Sequence, residues 1–330
     1  MDFGGIFADA VRTAIGVQAA AYALTSVGLN LHYGYTGLLN YGQVGFMLVG
    51  AYGTAITADA GLPLGLAVLV GVAAAVVLGL IMGLPTLRLR AEYLAIVTIS
   101  MAEILRLVAR SRQLEWFSGG AFGIKGFADA FYDLNPIPSG RYGFWEITFS
   151  SRTLWVMLVG WGAVALASLL VWLLIRSPWG RVLNAIRSDE DTARAMGKNV
   201  FSYKLQSLVV GGVMGALAGT LIAVDAQFTA PEFWDAVVTF FAYTIIILGG
   251  PGRIFGPILG SMIFWFLLEF TDKFLREAIK ADWPVISLLD PTDIGAVRFA
   301  LVGLGLMLLM IYRPQGILGS REETLLGDQR

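Results

Sequence analysis

Cysteine is absent from all 330 residues, which excludes disulfides, iron–sulfur ligation and thiolate chemistry. Histidine occurs once, at His32, and a single imidazole cannot supply a zinc site. Charge is scarce: only 14% of the residues are Asp, Glu, Lys or Arg, and the net charge is −1. No basic face is left to neutralise phosphates, so nucleic acid is excluded as a partner. The only Gly-Lys pair, Gly197-Lys198, is followed by Asn199 instead of Ser or Thr. There is thus no phosphate-binding loop, and the chain is expected not to bind ATP itself. HExxH and GxSxG are also missing, so no catalytic residue, metal ligand or resident cofactor is assigned. The start, MDFGGIFADAVR, opens with acids and lacks the basic stretch and small-residue cleavage site of a signal peptide, so it is expected to be retained.

What fills the chain is apolar: 57% of residues are hydrophobic and mean hydropathy is +0.71. So much apolar surface cannot be hidden in a water-soluble core. The expectation is an integral membrane protein, all-α, with residues 1–330 forming one polytopic helical bundle. Runs long enough to cross about 30 Å of hydrocarbon, or nearly so, fall at 11–31, 37–58, 62–84, 92–109, 153–175, 204–224, 236–250, 257–271 and 296–312, about nine spans. The spans flanking Gly249-Gly250-Pro251-Gly252 are short, and that turn is either a link between two crossings or a re-entrant bend. Orientation follows from the basic loops. Arg88 and Arg90, then Arg181, Arg187, Arg194, Lys198 and Lys204, then Arg313 and Arg321 all fall on one side under a nine-span count. The 225–235 loop, with Asp225, Glu232 and Asp235 and no Lys or Arg, falls opposite. This puts the carboxyl terminus in the cytoplasm and the amino terminus outside. Arg106, Arg110 and Arg112, at the outer end of a span, run against the rule.

One charged island, SPWGRVLNAIRSDEDTARAMGKN at 177–199, interrupts the apolar pattern. Ser177 can cap a helix with Pro178 at its first position, running to about Arg187. Ser188 and Asp191 have the spacing of a capping box for a second helix, whose amino end carries Asp189, Glu190 and Asp191. Glu190 and Arg194 are spaced for an i,i+4 pair, and Gly197 stops the helix. Val182, Leu183 and Ile186 form an apolar stripe that needs something to pack against. The island is either a solvated connector or an ordered cytoplasmic lever, and its caps favour the lever.

The 110–152 segment is the only substantial hydrophilic piece, expected outside. It is rich in glycine and aromatics around Phe122, Gly123, Lys125 and Phe127, and alternation over 144–149 suggests a short strand. It is either a cap on the bundle or a landing surface for an external partner. Within the spans, Gly34, Gly37, Gly42 and Gly45 surround Asn40, Tyr41 and Gln43. That is poor continuous helix, and it implies a broken span facing a cavity, where a half-helix amino end could hold a carboxylate, or a simple kink. Glu103 is the acid singled out within a span. It is either a functional group or the partner of Arg106 three residues on. Gly211, Gly215 and Gly219, Gly79 with Gly83, and Gly256 with Gly260 make smooth faces for close helix approach.

Two resemblances narrow the reading. Asp191-Thr192-Ala193-Arg194-Ala195-Met196-Gly197 resembles the opening of the EAA loop of ABC importer permeases, the coupling helix that docks on the ATP-hydrolysing subunit. The later apolar and proline part of that motif does not follow Gly197. More broadly, GLNLHYGYTGLLNYGQVGFMLVGAYGTA, LRLRAEYLAIVTISMAEILRLV, SGGAFGIKG, SPWGRVLNAIRSDEDTARAMGKNVFSYKLQ, ILGGPGRIFGPILGS and YRPQGILG occur in order. Together they resemble the LivM type of branched-chain amino acid ABC transporter permease. The resemblance implies a bacterial inner-membrane importer subunit that pairs with a LivH-like second permease. It also implies two ATP-binding subunits, which hold ATP and Mg, and an external substrate-binding protein. On this reading Arg187, Glu190, Asp191, Ala193, Arg194 and Gly197 couple to the ATPases. Asn40, Tyr41, Gly42, Gln43 and Glu103 are the candidate substrate pathway, and Phe122, Gly123, Lys125 and Phe127 the candidate docking site for the binding protein. Tyr41-Gly42-Gln43 departs from the serine-leucine-glycine-histidine wording of many members, so no side-chain contacts carry over there. A urea or short-amide permease of the same family, and a secondary transporter or channel working alone, are the other readings kept open.

Overall fold

In hydrocarbon every backbone N–H and C=O must be bonded within the protein, and a helix does this locally. The computed structural model describes residues 3–87, 89, 91–144, 146–281 and 294–319, and among them helices dominate. The first is α1, Phe3–Ala14, followed by α2, Val17–Asn30, which widens into a π-turn over Leu31–Thr36. After a break come α3, Gln43–Asp59; α4, Leu64–Thr86; and α5, Ala91–Arg110. A layer of short pieces follows: α6, Glu115–Ser118; β1, Ile124–Lys125; α7, Asp129–Asp133; β2, Arg141–Phe144; and β3, Ile147–Ser150. Then come α8, Ser151–Arg176; α9, Pro178–Ser188; α10, Glu190–Ala195; α11, Val200–Ala226; and β4, Phe228–Thr229. Last are α12, Ala236–Gly249; α13, Gly256–Lys280; and α14, Ile294–Tyr312.

Four helices, α4, α8, α11 and α14, are each long and apolar enough to cross a membrane, and α1 with α2 and its π-turn makes a fifth as a pair bent by 41°. The others are shorter or more charged. Each of the nine expected spans holds a helix, with three differences. The first span crosses the bend at Gly16, because α1 is a helix of its own. The second becomes helical only at Gln43. The eighth continues beyond 271 to Lys280, because ion pairs of Lys273 with Asp9 (2.9 Å) and Arg276 with Asp272 (2.7 Å) accommodate its polar turns.

α11 is the axis. It buries 72% of its most apolar stretch, against 28%, 22% and 11% for α4, α8 and α14, so those three lie at the periphery. Its glycine face admits α2 and α3: a Cβ on Gly211 would overlap the Gly28 carbonyl, and one on Gly219 the Met47 carbonyl. These glycines serve close packing. Gly256 and Gly260 do the same between α12 and α13, where the 250–255 turn closes a helical hairpin.

Contacts sort the connections into two ends. At one end β1 pairs antiparallel with β4, Ile124 opposite Thr229, and Arg110 bridges to Glu232 at 3.6 Å. The acidic 225–235 loop and the 110–152 segment thus share an end, as expected. Two of the three arginines that ran against the rule have local partners there, since Arg106 also bridges Glu103 at 2.6 Å. At the other end the 177–199 island lies beside Thr36–Leu38, Leu87 and Leu89, and the Arg187 guanidinium reaches Gly252. The tail turns back onto the same end, Ile317 and Leu318 donating to the Leu248 and Gly249 carbonyls. The expected single strand over 144–149 is split by a hairpin: Phe144 ends β2, Arg141–Phe144, and 147–149 belong to β3, Ile147–Ser150, which pairs with β2 antiparallel. Trp145 in that stretch, and Arg88, Arg90 and Arg321 of the basic loops, lie outside the described residues.

Candidate functional site

The island folds as two capped helices. Ser177 Oγ accepts from Trp179 N–H at 3.2 Å and Pro178 opens α9. The second cap is Asp189, not Ser188. Its extended backbone lets the carboxylate accept from the N–H groups of Asp191 (3.0 Å) and Thr192 (3.1 Å) and from the Thr192 hydroxyl (2.6 Å). Ser188 is still inside α9, where its hydroxyl donates to the Asn184 carbonyl. Arg194 bridges Glu190 (2.9 Å) and Asp191 (3.0 Å), and Lys204 of α11 also reaches Glu190, tying the knuckle to the axis. Gly197 stops the helix at φ +77°, a conformation other L-residues rarely adopt.

The apolar side of the knuckle is satisfied by its own bundle. Leu183 and Ile186 are buried, and Ala193 packs with Ile186 and Val200. Outward faces Asp191, Thr192, Arg194, Met196 and Lys198, Met196 being 76% exposed. Ala193, one of the candidate coupling residues, therefore shapes the knuckle from inside, while Glu190, Asp191, Arg194 and Gly197 shape its surface and end.

Arg187 is different in kind. Its guanidinium leaves the island and donates to the Gly34 carbonyl within the π-turn, and its stem crosses Gly37, where an added Cβ would meet Arg187 Cγ at 3.4 Å. Gly37 stands at φ +75°, a conformation that favours glycine. The island is thereby bonded to the one place where α2 stops being helical. The next turn is tied in as well: Asn30 donates to the Arg253 carbonyl (3.0 Å) and accepts from Gly252 N–H (2.9 Å).

Below the break lies a polar clamp. His32 Nε2 sits 3.0 Å and 3.2 Å from the carbonyls of Ser207 and Leu208, so it carries the proton. Nδ1 then accepts from Asn40 Nδ2 at 3.3 Å. Asn40 also donates to Gln43 Oε1 (3.1 Å), and Gln43 Nε2 donates to the Gly211 carbonyl (3.0 Å). The freed N–H groups find partners too: Tyr41 on Thr98 Oγ1, Gly42 on Asn40 Oδ1 and Val44 on Thr239 Oγ1. At the amino end of α3, Val44 and Gly45 thus give their N–H groups to Thr239 Oγ1 and to the Gly42 carbonyl.

The candidate pathway residues thus separate. Asn40, Gly42 and Gln43 are buried in the clamp. Tyr41 alone keeps surface, stacking on Tyr243 at 4.5 Å and meeting Phe240 at 5.6 Å, while Tyr33 takes Tyr243 edge-on at 5.6 Å. Glu103 stands apart from them, held by two hydrogen bonds from Arg106 (2.8 and 2.6 Å) with its side chain 41% exposed. Asn30, Tyr33, Thr98, Thr239, Phe240 and Tyr243 were not singled out from the sequence. A lone Asn within an apolar run was the available signal for Asn30; the others became visible only through contact.

At the opposite end, Phe122 (77% exposed) and Lys125 face outward, Lys125 lying 5.5 Å over the Phe228 ring. Phe127 is buried in the main core, and Gly123 meets the Thr229 carbonyl so closely that no Cβ fits. Two of these four residues present a surface and two pin it down.

Comparison with known proteins adds a family. Residues 12–312 match the model described as "Branched-chain amino acid transport system / permease component". The high-affinity branched-chain amino acid transport system permease protein LivM of Salmonella typhimurium is 32% identical over 320 residues, covering 92% of this chain and 69% of that protein. LivM of Escherichia coli K12 is 30% identical over 316 residues with the same coverage. The probable LivM of Methanocaldococcus jannaschii is 26% identical over 332 residues and covers 90% of both chains.

Proposed function

The chain belongs to the branched-chain amino acid transport system permease component family, and on that premise we propose that it is a bacterial inner-membrane subunit carrying leucine-type amino acids inward. It is a multi-pass permease, not an ATPase. Its partners are a LivH-like second permease, two ATP-binding subunits that hold ATP and Mg, and an external substrate-binding protein. The island end faces the cytoplasm and receives the ATPases on the outward side of α9 and α10. The 110–152 end faces outside, and Phe122 and Lys125 meet the binding protein.

One observation supports the coupling role above the others: Arg187 bonds the knuckle to the π-turn through the Gly34 carbonyl. Movement of α9 therefore pulls on the break between α2 and α3 without passing through a flexible linker. Shape-fixing groups on the knuckle, Asp189 and Gly197, keep it stiff enough to act as a lever.

The test is reconstitution of the complete complex in proteoliposomes. The expected outcome is ATP-dependent uptake of leucine, isoleucine or valine with the binding protein present. Arg187→Ala should keep ATP hydrolysis while cutting uptake about tenfold, and Gly197→Pro or Met196→Asp should weaken attachment of the ATPases. Uptake by the isolated chain without ATP would instead make it a transporter working alone. Uptake of urea or short amides in place of the amino acids would overturn the cargo.

A further inference from the structure

Helices α1 and α2 meet at a bend of 41°, and no side chain caps the amino end of α2 at Gly16. A cavity of about 380 Å³ lies beside the bend, within the size range of small-molecule sites. It is walled by α1, α2, α8, the β2–β3 hairpin and the end of α11, and Arg12, Arg141 and Asp225 all line it. Val17 and Phe149, both buried, supply apolar wall. Arg141 belongs to the 110–152 segment and Asp225 to the acidic 225–235 loop, so the cavity sits at the end opposite the island.

The three charges are engaged unequally. Arg12 bridges Asp9 at 3.4 Å, and Asp9 is shared with Lys273 at 2.9 Å. Arg141 has no partner for its guanidinium among the described residues, nor has Asp225 for its carboxylate, although Asp225 is half-buried. Neither arginine closes an ion pair with Asp225 across the cavity they share. A carboxylate that has lost part of its water without gaining a donor is disfavoured. A simple anion placed here would meet the charge of Asp225, and a simple cation would meet the two guanidinium groups. A molecule carrying both signs avoids both penalties. Guanidinium groups take a carboxylate or phosphate through their forked donors, and a carboxylate accepts from a primary ammonium. The uncapped amino end of α2 adds positive potential on the anion's behalf.

We infer that this cavity is a binding site for a small zwitterion. Its anionic group lies on Arg12 and Arg141, its primary ammonium on Asp225, and its hydrocarbon part on Val17 and Phe149. Two sources share this chemistry: a free α-amino acid, and the phosphoethanolamine head of a lipid, which reaches the cavity along the peripheral helix α8. The site stands apart from the lever and the clamp and does not depend on which cargo the chain carries.

The test uses the permease–ATPase complex purified in detergent without the external binding protein. Two probes are offered. Radiolabelled L-leucine is read by equilibrium binding, and dioleoylphosphatidylethanolamine by native mass spectrometry against phosphatidylcholine and phosphatidylglycerol of the same chains. At least one of the two probes is expected to saturate a single site. Arg141→Gln and Asp225→Asn should each weaken it about tenfold, the scale of one lost charge-assisted hydrogen bond. Leucine binding that 4-methylpentanoate and 3-methylbutylamine fail to displace identifies a free amino acid. Preference for the ethanolamine lipid over the other two identifies a lipid head group, because choline has no N–H for Asp225 and glycerol no cation for it. Binding of the acid or of phosphatidylglycerol as tight as that of the zwitterion removes Asp225 from the site and overturns the inference. Failure of both probes to bind, or binding that neither variant changes, also overturns it. So does weaker attachment of the external binding protein to Arg141→Gln with neither probe bound, which makes the rim a protein contact. The wild-type comparisons need no variant, and the Arg141 side chain is exposed, so a failure of Asp225→Asn to fold leaves the outcome decided.

Discussion

A buried carboxamide has an acceptor oxygen and two donor hydrogens to place, and Asn40 places them on Gly42 N–H, His32 Nδ1 and Gln43 Oε1. Such a group is stabilising only while its partners remain, because a buried donor or acceptor left alone costs about 1–3 kcal/mol. Gln43→Leu strands one hydrogen of Asn40 and takes the second donor from the Gly211 carbonyl, which keeps its helical bond. It should lower the thermal unfolding temperature of the purified permease by several degrees, whereas Ser100→Ala, whose hydroxyl bonds only its own helix at an exposed position, should leave it unchanged. Equal behaviour of the two variants would remove the clamp from the account. The residue types at 40 to 43 already marked this stretch in the sequence. Their roles were not readable there, because a polar side chain in a span looks the same whether it faces a passage or a carbonyl of α11.

At the scale of elements, the same glycine pattern has different consequences on different helices. On α11 the face of Gly211, Gly215 and Gly219 is filled by backbone and side chains of α2 and α3, while Gly162 on α8 has open space around it. Forcing a side chain into a filled contact typically costs 1–3 kcal/mol or more. Gly219→Leu is therefore expected to abolish recovery of folded protein, and Gly162→Leu to leave expression and monodispersity on size exclusion unaltered. The island makes a related point: caps and stop were legible because capping is local chemistry, with a one-residue shift from Ser188 to Asp189. That its apolar stripe packs on its own bundle instead of a partner was not, since Leu183 joins a core built from residues far along the chain.

For the whole molecule, the grouping of loops at two ends fixes which segments share a side of the membrane. The absence of cysteine makes this directly measurable, because a single introduced thiol is the only one present. Ser188→Cys in the island and Ser139→Cys in the 110–152 segment should react with a membrane-impermeant maleimide from opposite faces of intact vesicles, the first from the cytoplasmic face. Labelling of both from one face would refute the arrangement and, with it, the lever. The expected alternation of nine segments agrees with α2 and α4 running antiparallel to α11 (Gly28 on Gly211 and His32 on Ser207; Gly79 on Val209 and Gly83 on Leu205) and α3 running parallel to it (Gln43 on Gly211, Thr54 on Thr220), and two of the three outer arginines, Arg106 and Arg110, pair with Glu103 and Glu232.

Taken alone, the sequence determined the solvent of this protein, its helical class, the position of each apolar segment and the ordered character of the island. Those properties depend on composition and on interactions within a few residues, which a linear chain displays. Tertiary structure decided which polar groups pair with which: Arg187 with Gly34, and His32, Asn40 and Gln43 with one another and with α11. These pairings join positions as far apart as 34 and 187 or 43 and 211, and only the fold sets which donor reaches which acceptor.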